Sequence, residues 1–220
     1  MDATSFARSR PALAVLALAL LVPTSGCVGL LAQMVYWGGG AQKKAAYDGL
    51  QGKRVAVICV SDSSAFGLGT DSLYLARDVS NLLRENVEEI KLVRPDEIAD
   101  WIDRHDWNEV DFAEVGRGVE ADMVVAIELT SFSLYEGQTL YRGRANVKVR
   151  VLDIQAGGEE VFSRRINEIT FPTNGGYAAT DSSENKFRAT FLQVLAEQVA
   201  RHFYDHDVWD QYGVDPAGID

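Results

Sequence analysis

The chain has 220 residues, of which 47% are hydrophobic and 24% are charged. This composition fits one globular domain with a short additional segment, and it excludes a disordered chain or a multi-span membrane protein. The formal net charge of −11 argues against nucleic acid as a partner, because phosphate binding needs a basic surface. Two cysteines are too few for a disulfide framework.

The first 26 residues have the pattern of a secretory signal peptide. Arg8 and Arg10 precede an unbroken apolar run at 12–22, and small residues at 24–26 lead to Cys27. The apolar run is shorter than the ~20 residues that a helix needs to cross a bilayer. We therefore predict that residues 1–26 are a signal peptide and that Cys27 becomes the first residue of the mature chain.

Cys27, placed directly after Ser-Gly, resembles the cysteine of a bacterial lipobox. The resemblance implies lipidation of Cys27 with palmitate-type chains. In bacterial lipoproteins an aspartate directly after the lipidated cysteine commonly retains the protein in the inner membrane, and here that residue is Val28. The resemblance therefore implies the periplasmic face of the outer membrane. The alternative is an uncleaved transmembrane anchor, because residues 11–42 carry no charge, although Pro23 interrupts the apolar pattern. In both cases the body of the protein lies outside the cytoplasm and is tethered to a membrane.

Three segments follow the predicted signal peptide. Residues 27–49 contain a run of three glycines and are predicted to form the lipidated N-terminus and a flexible tether. Residues 50–205 are predicted to fold as a single α/β domain, and residues 206–220 form an acidic tail. Cys59 lies in an apolar run within the domain, which is typical of a buried thiol.

Strands alternate with helices in the first half of the domain. Continuous apolar runs predict buried strands, apolar residues at spacings of three and four predict a helix, and Pro95 followed by two acids marks the start of another. The predicted elements are strand 53–60, helix 71–87, strand 90–93, helix 95–104 and helix 111–119. A strand-helix-strand order implies parallel strands.

The second half predicts an antiparallel meander followed by a helix. Hydrophobic and polar residues alternate strictly along 145–151, which predicts a strand with one buried face and one wet face. The predicted elements are strand 123–135, the strand around 145–151, strand 159–171 and helix 184–204. The fold class is therefore α/β (α+β): a two-layer mixed sheet of about five strands with helices mainly on one face, in the order β-α-β-α-α-β-β-β-α.

Three stretches of this domain resemble a group of bacterial envelope lipoproteins. They are the strand that begins at Lys53, the segment 115–125 in which a short helix leads through Ala121-Asp122 into a strand, and the strand-turn-strand at 149–161. The group contains the penicillin-binding-protein activator lipoprotein, the curli secretion lipoprotein and the N-terminal domain of the Tol-system propeller protein. The resemblance covers roughly residues 50–205 and implies this fold and an envelope setting. It does not identify a partner.

Basic residues gather on the wet face of the predicted meander, although the protein as a whole is acidic. The candidate partner-binding residues are Arg142, Arg144, Lys148, Arg150 and Arg164. One interpretation is a docking surface for an acidic envelope protein. The other is cross-strand pairing with Glu159, Glu160 or Glu168, which contributes ~0.2–1 kcal/mol per pair.

His202 and His206 are the candidate metal ligands. Four residues apart, they would share one face of the predicted last helix, but zinc needs a third or fourth ligand. No Gly-x-Ser-x-Gly motif is present. We expect a non-enzymatic binding or accessory module without a cofactor. A metal-binding or hydrolytic envelope enzyme that uses the two histidines is the alternative.

Overall fold

The computed structural model of the chain describes residues 42–61, 69–105, 111–180 and 183–207. The predicted signal peptide and Cys27 lie outside these ranges, and the compact unit that carries the fold begins at Lys43. The described helices are α1 (Thr70–Asn86), α2 (Pro95–Arg104), α3 (Phe112–Gly118) and α4 (Glu184–Ala200). The described strands are β1 (Gln42–Lys43), β2 (Arg54–Ser61), β3 (Lys91–Leu92), β4 (Met123–Glu136), β5 (Leu140–Asp153), β6 (Glu159–Phe171), β7 (Tyr177–Ala178) and β8 (His206–Asp207).

The main sheet is mixed and has the strand order β3-β2-β4-β5-β6, with the short β7 paired to β5. β2 runs parallel to β3 and β4, whereas β4, β5 and β6 form the antiparallel meander. The predicted fold class and the order of its nine main elements are confirmed. The two-residue strands β1, β7 and β8 are additions that were too short to leave a pattern in the sequence.

β2 is buried because the sheet continues on both of its edges and helices cover both of its faces. Residues from Val55 to Cys59 are at most 5% exposed. The strand pairs with β4 in register from Val55↔Met123 to Ser61↔Leu129. Central parallel strands show such continuous apolar runs because neither face is wet.

The two long helices, α1 and α4, pack on one face of the sheet. Leu75, Val79 and Leu83 of α1 and Phe187 and Phe191 of α4 are all 0% exposed. They form one core with the inward residues of β2, β4 and β5. Fully burying a side chain of this kind contributes ~1.5–3 kcal/mol.

The two short helices cover the opposite face of the parallel strands and add a smaller second core. Pro95 stands at the start of α2. Asp111 caps α3 by accepting hydrogen bonds from the backbone N–H groups of Ala113 and Glu114 at 2.9 and 3.0 Å. This second core contains Ala56, Ile58, Ile98, Ile102, Phe112, Val115, Val124 and Ala126. Most helical residues lie on the α1/α4 side, as predicted, and within the described ranges the other face is open beside β5 and β6.

The last helix ends earlier than the sequence predicted. α4 stops at Ala200 rather than near residue 204. The backbone N–H groups of Ala46 and Tyr47 donate to the carbonyl of His202 at 2.8 and 3.0 Å. A helix that continued past His202 would use that carbonyl internally. The His202 carbonyl therefore accepts hydrogen bonds from the N-terminal segment of the domain and not from a further turn of α4.

Candidate functional site

β5 directs alternate side chains to the two faces of the sheet. Val147, Val149 and Val151 point toward α1 and α4 and are at most 2% exposed. The residues between them point to the opposite, largely open side. We call the four cations on this side the basic face: Arg142, Arg144, Lys148 and Arg150.

Glu128 of β4 pairs with two cations of the basic face, Lys148 and Arg150. Its carboxylate lies 3.7 Å from Lys148 Nζ and forms a short ion pair with Arg150. Arg150 also lies 3.7 Å from Glu160 and places its guanidinium 5.2 Å above the ring of Phe112. Both Glu128 and Arg150 are only 22% exposed, so this pair is partly desolvated and structural.

Glu136, the last residue of β4, pairs with the other two cations of the basic face, Arg142 and Arg144. Arg142 Nη1 and Arg144 Nη2 lie 2.9 and 2.6 Å from its two oxygens. The pKa of Glu136 is lowered, mainly by the hydrogen bond from Arg142. The Nε atom of Arg142 is buried and has no hydrogen-bond partner among the described residues. Two guanidinium groups thus share the one carboxylate of Glu136.

A concavity of about 470 Å³ opens beside these two arginines. Asn146 shapes its floor: its amide donates to Ser131 Oγ at 2.9 Å and accepts from the backbone N–H of Glu168 at 2.7 Å. Residue 146 lies where the registers of both β4 and β6 shift, and these bulges bend the strands around the cavity. The lining residues are Ser131, Arg142, Arg144, Ala145, Asn146, Glu168 and Thr170.

Four of the five candidates lie together on the basic face and Arg164 does not, and their role in partner binding stays a prediction. In the observed register Arg164 lies opposite Val149, and Arg165 lies opposite Lys148. Directly opposed residues project to the same side, so Arg164 points to the side of α1 and α4. Arg165 is the β6 arginine that adjoins the basic face. The acids that pair with the basic face are mainly Glu128 and Glu136 of β4, and of the predicted acids only Glu160 takes part.

The two candidate histidines do not share a helical face, because α4 ends before both of them. The Nε2 atoms of His202 and His206 are buried, and neither has a hydrogen-bond partner in the part of the chain that the structure describes. The pKa of His202 is lowered to about 4, first by burial and then by the positive charges of Arg164 and Lys43. Positive surroundings oppose the binding of a metal cation. Within the described ranges no three metal-ligating side chains come together.

A second concavity, which the sequence did not reveal, lies between α1 and α4. It has a volume of about 640 Å³. Tyr74 at its rim is 44% exposed, and Arg77 places its guanidinium 4.9 Å above the Tyr74 ring. Arg188 bridges the two helices by binding Asp71 at 2.6 Å. The only signal in the sequence was an aromatic residue next to the apolar stripe of α1.

The two cysteines differ in setting. Cys59 is 1% exposed, and burial raises the pKa of its thiol to about 12, which leaves it unreactive. Cys27 lies outside the described residues, so its lipidation stays a prediction. Among the described helices, none is long and apolar enough to cross a membrane.

Comparisons with known proteins show similarity of structure but not of sequence. No protein-family profile matches the sequence, and no curated protein matches it. A dodecameric PelC from Paraburkholderia phytofirmans is similar in structure at 13% identity and a TM-score of 0.45, over 74% of this chain and 95% of that one. Lipoprotein GNA1162 from Neisseria meningitidis is similar at 13% identity and a TM-score of 0.43, over 67% and 97%.

The C-terminal domain of LpoB from Salmonella enterica is similar at 13% identity and a TM-score of 0.36, over 63% of this chain and 91% of that one. Bacterial lipoproteins are therefore among the solved structures that this chain resembles, as the sequence resemblance predicts. At these identities the likeness concerns the fold alone.

Proposed function

We propose that this protein is a membrane-anchored, non-enzymatic lipoprotein of the bacterial envelope whose α/β domain binds an acidic part of another envelope protein. In this proposal Cys27 carries the lipid, and the domain faces the periplasm from the outer membrane. The pattern at residues 8–27 supports the anchor. The basic face supports the binding role.

One observation carries the binding proposal: Arg142 and Arg144 share the single carboxylate of Glu136 at the mouth of a polar concavity. An arginine guanidinium binds a carboxylate through paired N–H groups. A carboxylate of a partner that enters the concavity would give these two guanidinium groups a second carboxylate to bind. The binding energy comes from this charge-assisted contact in a partly enclosed site.

Charge reversal at Arg144 tests the binding role with little risk to the fold, because this side chain is 53% exposed. Arg144→Glu should abolish the crosslinks that the wild type forms with its partner in intact cells. Arg84→Glu is the matched control, since Arg84 is an exposed arginine of α1, on the other side of the sheet. An unchanged crosslinking pattern in Arg144→Glu would refute the basic face as the binding surface.

Metabolic labelling with palmitate tests the anchor independently. Wild type should incorporate the label and Cys27→Ala should not. Cys59→Ala is the control, because it removes the buried cysteine and should leave labelling unchanged. Equal labelling of wild type and Cys27→Ala would end the lipoprotein proposal.

A further inference from the structure

The outer edge of β6 is uncovered in the part of the chain that the structure describes. β6 is the last strand in the sheet order and pairs with β5 alone. Its residues at 159–161, 163–165 and 167–168 are exposed, and Val161 is 40% exposed. The free N–H and C=O groups of an edge strand form a template for one more strand.

Two irregularities limit the part of β6 that can accept a strand. The β5–β6 register shifts between Val151 and Leu152 and again between Ala145 and Val147, and Glu168 has a φ of 55° near the second shift. Bulges interrupt regular backbone pairing. The regular stretch between them is residues 162–166.

This stretch carries two cations on opposite faces. Arg164 lies opposite Val149 and Arg165 opposite Lys148, so their side chains point to different sides of the sheet. Among the described residues neither has an ion-pair partner, whereas all four cations of the basic face are paired with glutamates. An added strand would place successive side chains beside Arg164 and Arg165 in turn.

We propose that β6 binds an extended acidic segment of a partner protein as an added strand, with acids at two successive positions that pair with Arg164 and Arg165. This inference rests on the proposed binding role and specifies the form of the ligand. A second copy of the chain fits the regular stretch poorly. Antiparallel self-pairing centred on the regular stretch brings Arg164 opposite Arg164 of the other copy, and like charges directly opposite are destabilising.

Hydrogen exchange of the full chain in detergent tests strand addition, because new backbone hydrogen bonds slow the exchange of β6. The probe is the blocked peptide Thr-Val-Glu-Glu-Val-Thr, and its lysine analogue Thr-Val-Lys-Lys-Val-Thr is the control. We expect slower exchange at residues 162–166 with the acidic peptide and no change with the lysine peptide. Unchanged exchange of β6 with the acidic peptide, or equal protection by both peptides, would overturn the inference.

Two variants separate charge from folding. Arg164→Gln with Arg165→Gln should weaken peptide binding by roughly 1.4- to fivefold for each lost cross-strand pair. Arg84→Glu should bind like the wild type. Wild-type affinity in the double variant would also overturn the inference, and unfolding curves check that both variants are folded. Because Arg144→Glu tests the basic face by crosslinking, failure of strand addition and failure of the proposed function give different results.

Discussion

The contact between Gly143 of β5 and Phe191 of α4 predicts that one added methyl group destabilises the domain. A Cβ at position 143 would lie 2.6 Å from Cγ and Cδ1 of the Phe191 ring. That ring is 0% exposed and stacks on Phe132 and Phe171 at centroid distances of 5.5 and 6.4 Å, so it has no room to move aside. Gly143→Ala should therefore cost about 1–3 kcal/mol.

Gly143→Ala should no longer destabilise the domain once the Phe191 ring is removed. Alanine is favoured over glycine inside a strand by about 0.5–1 kcal/mol. Phe191→Ala alone should cost about 3–5 kcal/mol, and in that background Gly143→Ala should be neutral or stabilising. The coupling energy between the two positions should therefore be at least about 1 kcal/mol and of compensating sign.

Urea unfolding of residues 43–220, followed by circular dichroism, measures all four corners of this cycle. Phe191→Leu replaces Phe191→Ala if the alanine variant is too unstable to give a folded baseline. Free energies that add within about 0.5 kcal/mol would refute the argument, because they would mean that the ring does not touch position 143. The contact matters for the site because it holds α4 against the strand that carries the basic face.

Three further predictions concern single side chains. In a Cys27→Ala background, Cys59 should react with Ellman's reagent only after denaturation, because its pKa is raised to about 12; reaction of the native protein at the denatured rate would contradict this. The lowered pKa of His202 means that the unfolded chain takes up a proton that the folded chain refuses between pH 6.5 and about 4. The free energy of unfolding should fall as pH falls through that window, and less so in His202→Gln; equal slopes would contradict this. Asn146→Ala should cost about 0.5–1.5 kcal/mol in urea unfolding through its lost hydrogen bonds. Asn146→Asp keeps the acceptor for the N–H of Glu168 and should lose less, so equal losses would contradict that role.

The sequence was sufficient to predict which residues of β5 are buried, because strict alternation along 145–151 leaves only one way to place Val147 and Val149 inward. It could not predict which β6 residue adjoins Lys148. That choice depends on the β5–β6 register and on two bulges, and a shift of one residue exchanges Arg164 for Arg165. The pairing of Glu136 with two arginines likewise depends on the β4–β5 register.

The end of α4 shows a different limit of sequence-based prediction. The spacing of Phe187, Phe191, Leu195 and Val199 continues to Phe203, which is 2% exposed and part of the same core. The apolar pattern therefore could not distinguish a helical turn from the tighter bends that the chain makes there. The deciding contact is the one between the His202 carbonyl and the N–H groups of Ala46 and Tyr47, which are distant in sequence.

The same junction places the beginning and the end of the described fold at one corner. Lys44 Nζ lies 2.6 Å from Asp205, and Ala45 N–H donates to the same carboxylate at 2.9 Å. A domain with adjacent ends tolerates circular permutation and insertion into another chain. A permuted protein in which a short linker joins residue 207 to residue 43, with new ends in the turn at Gly157, should fold to the same sheet. If it does, the contacts between the strands are sufficient to set the strand order of the sheet, wherever the ends of the permuted chain lie.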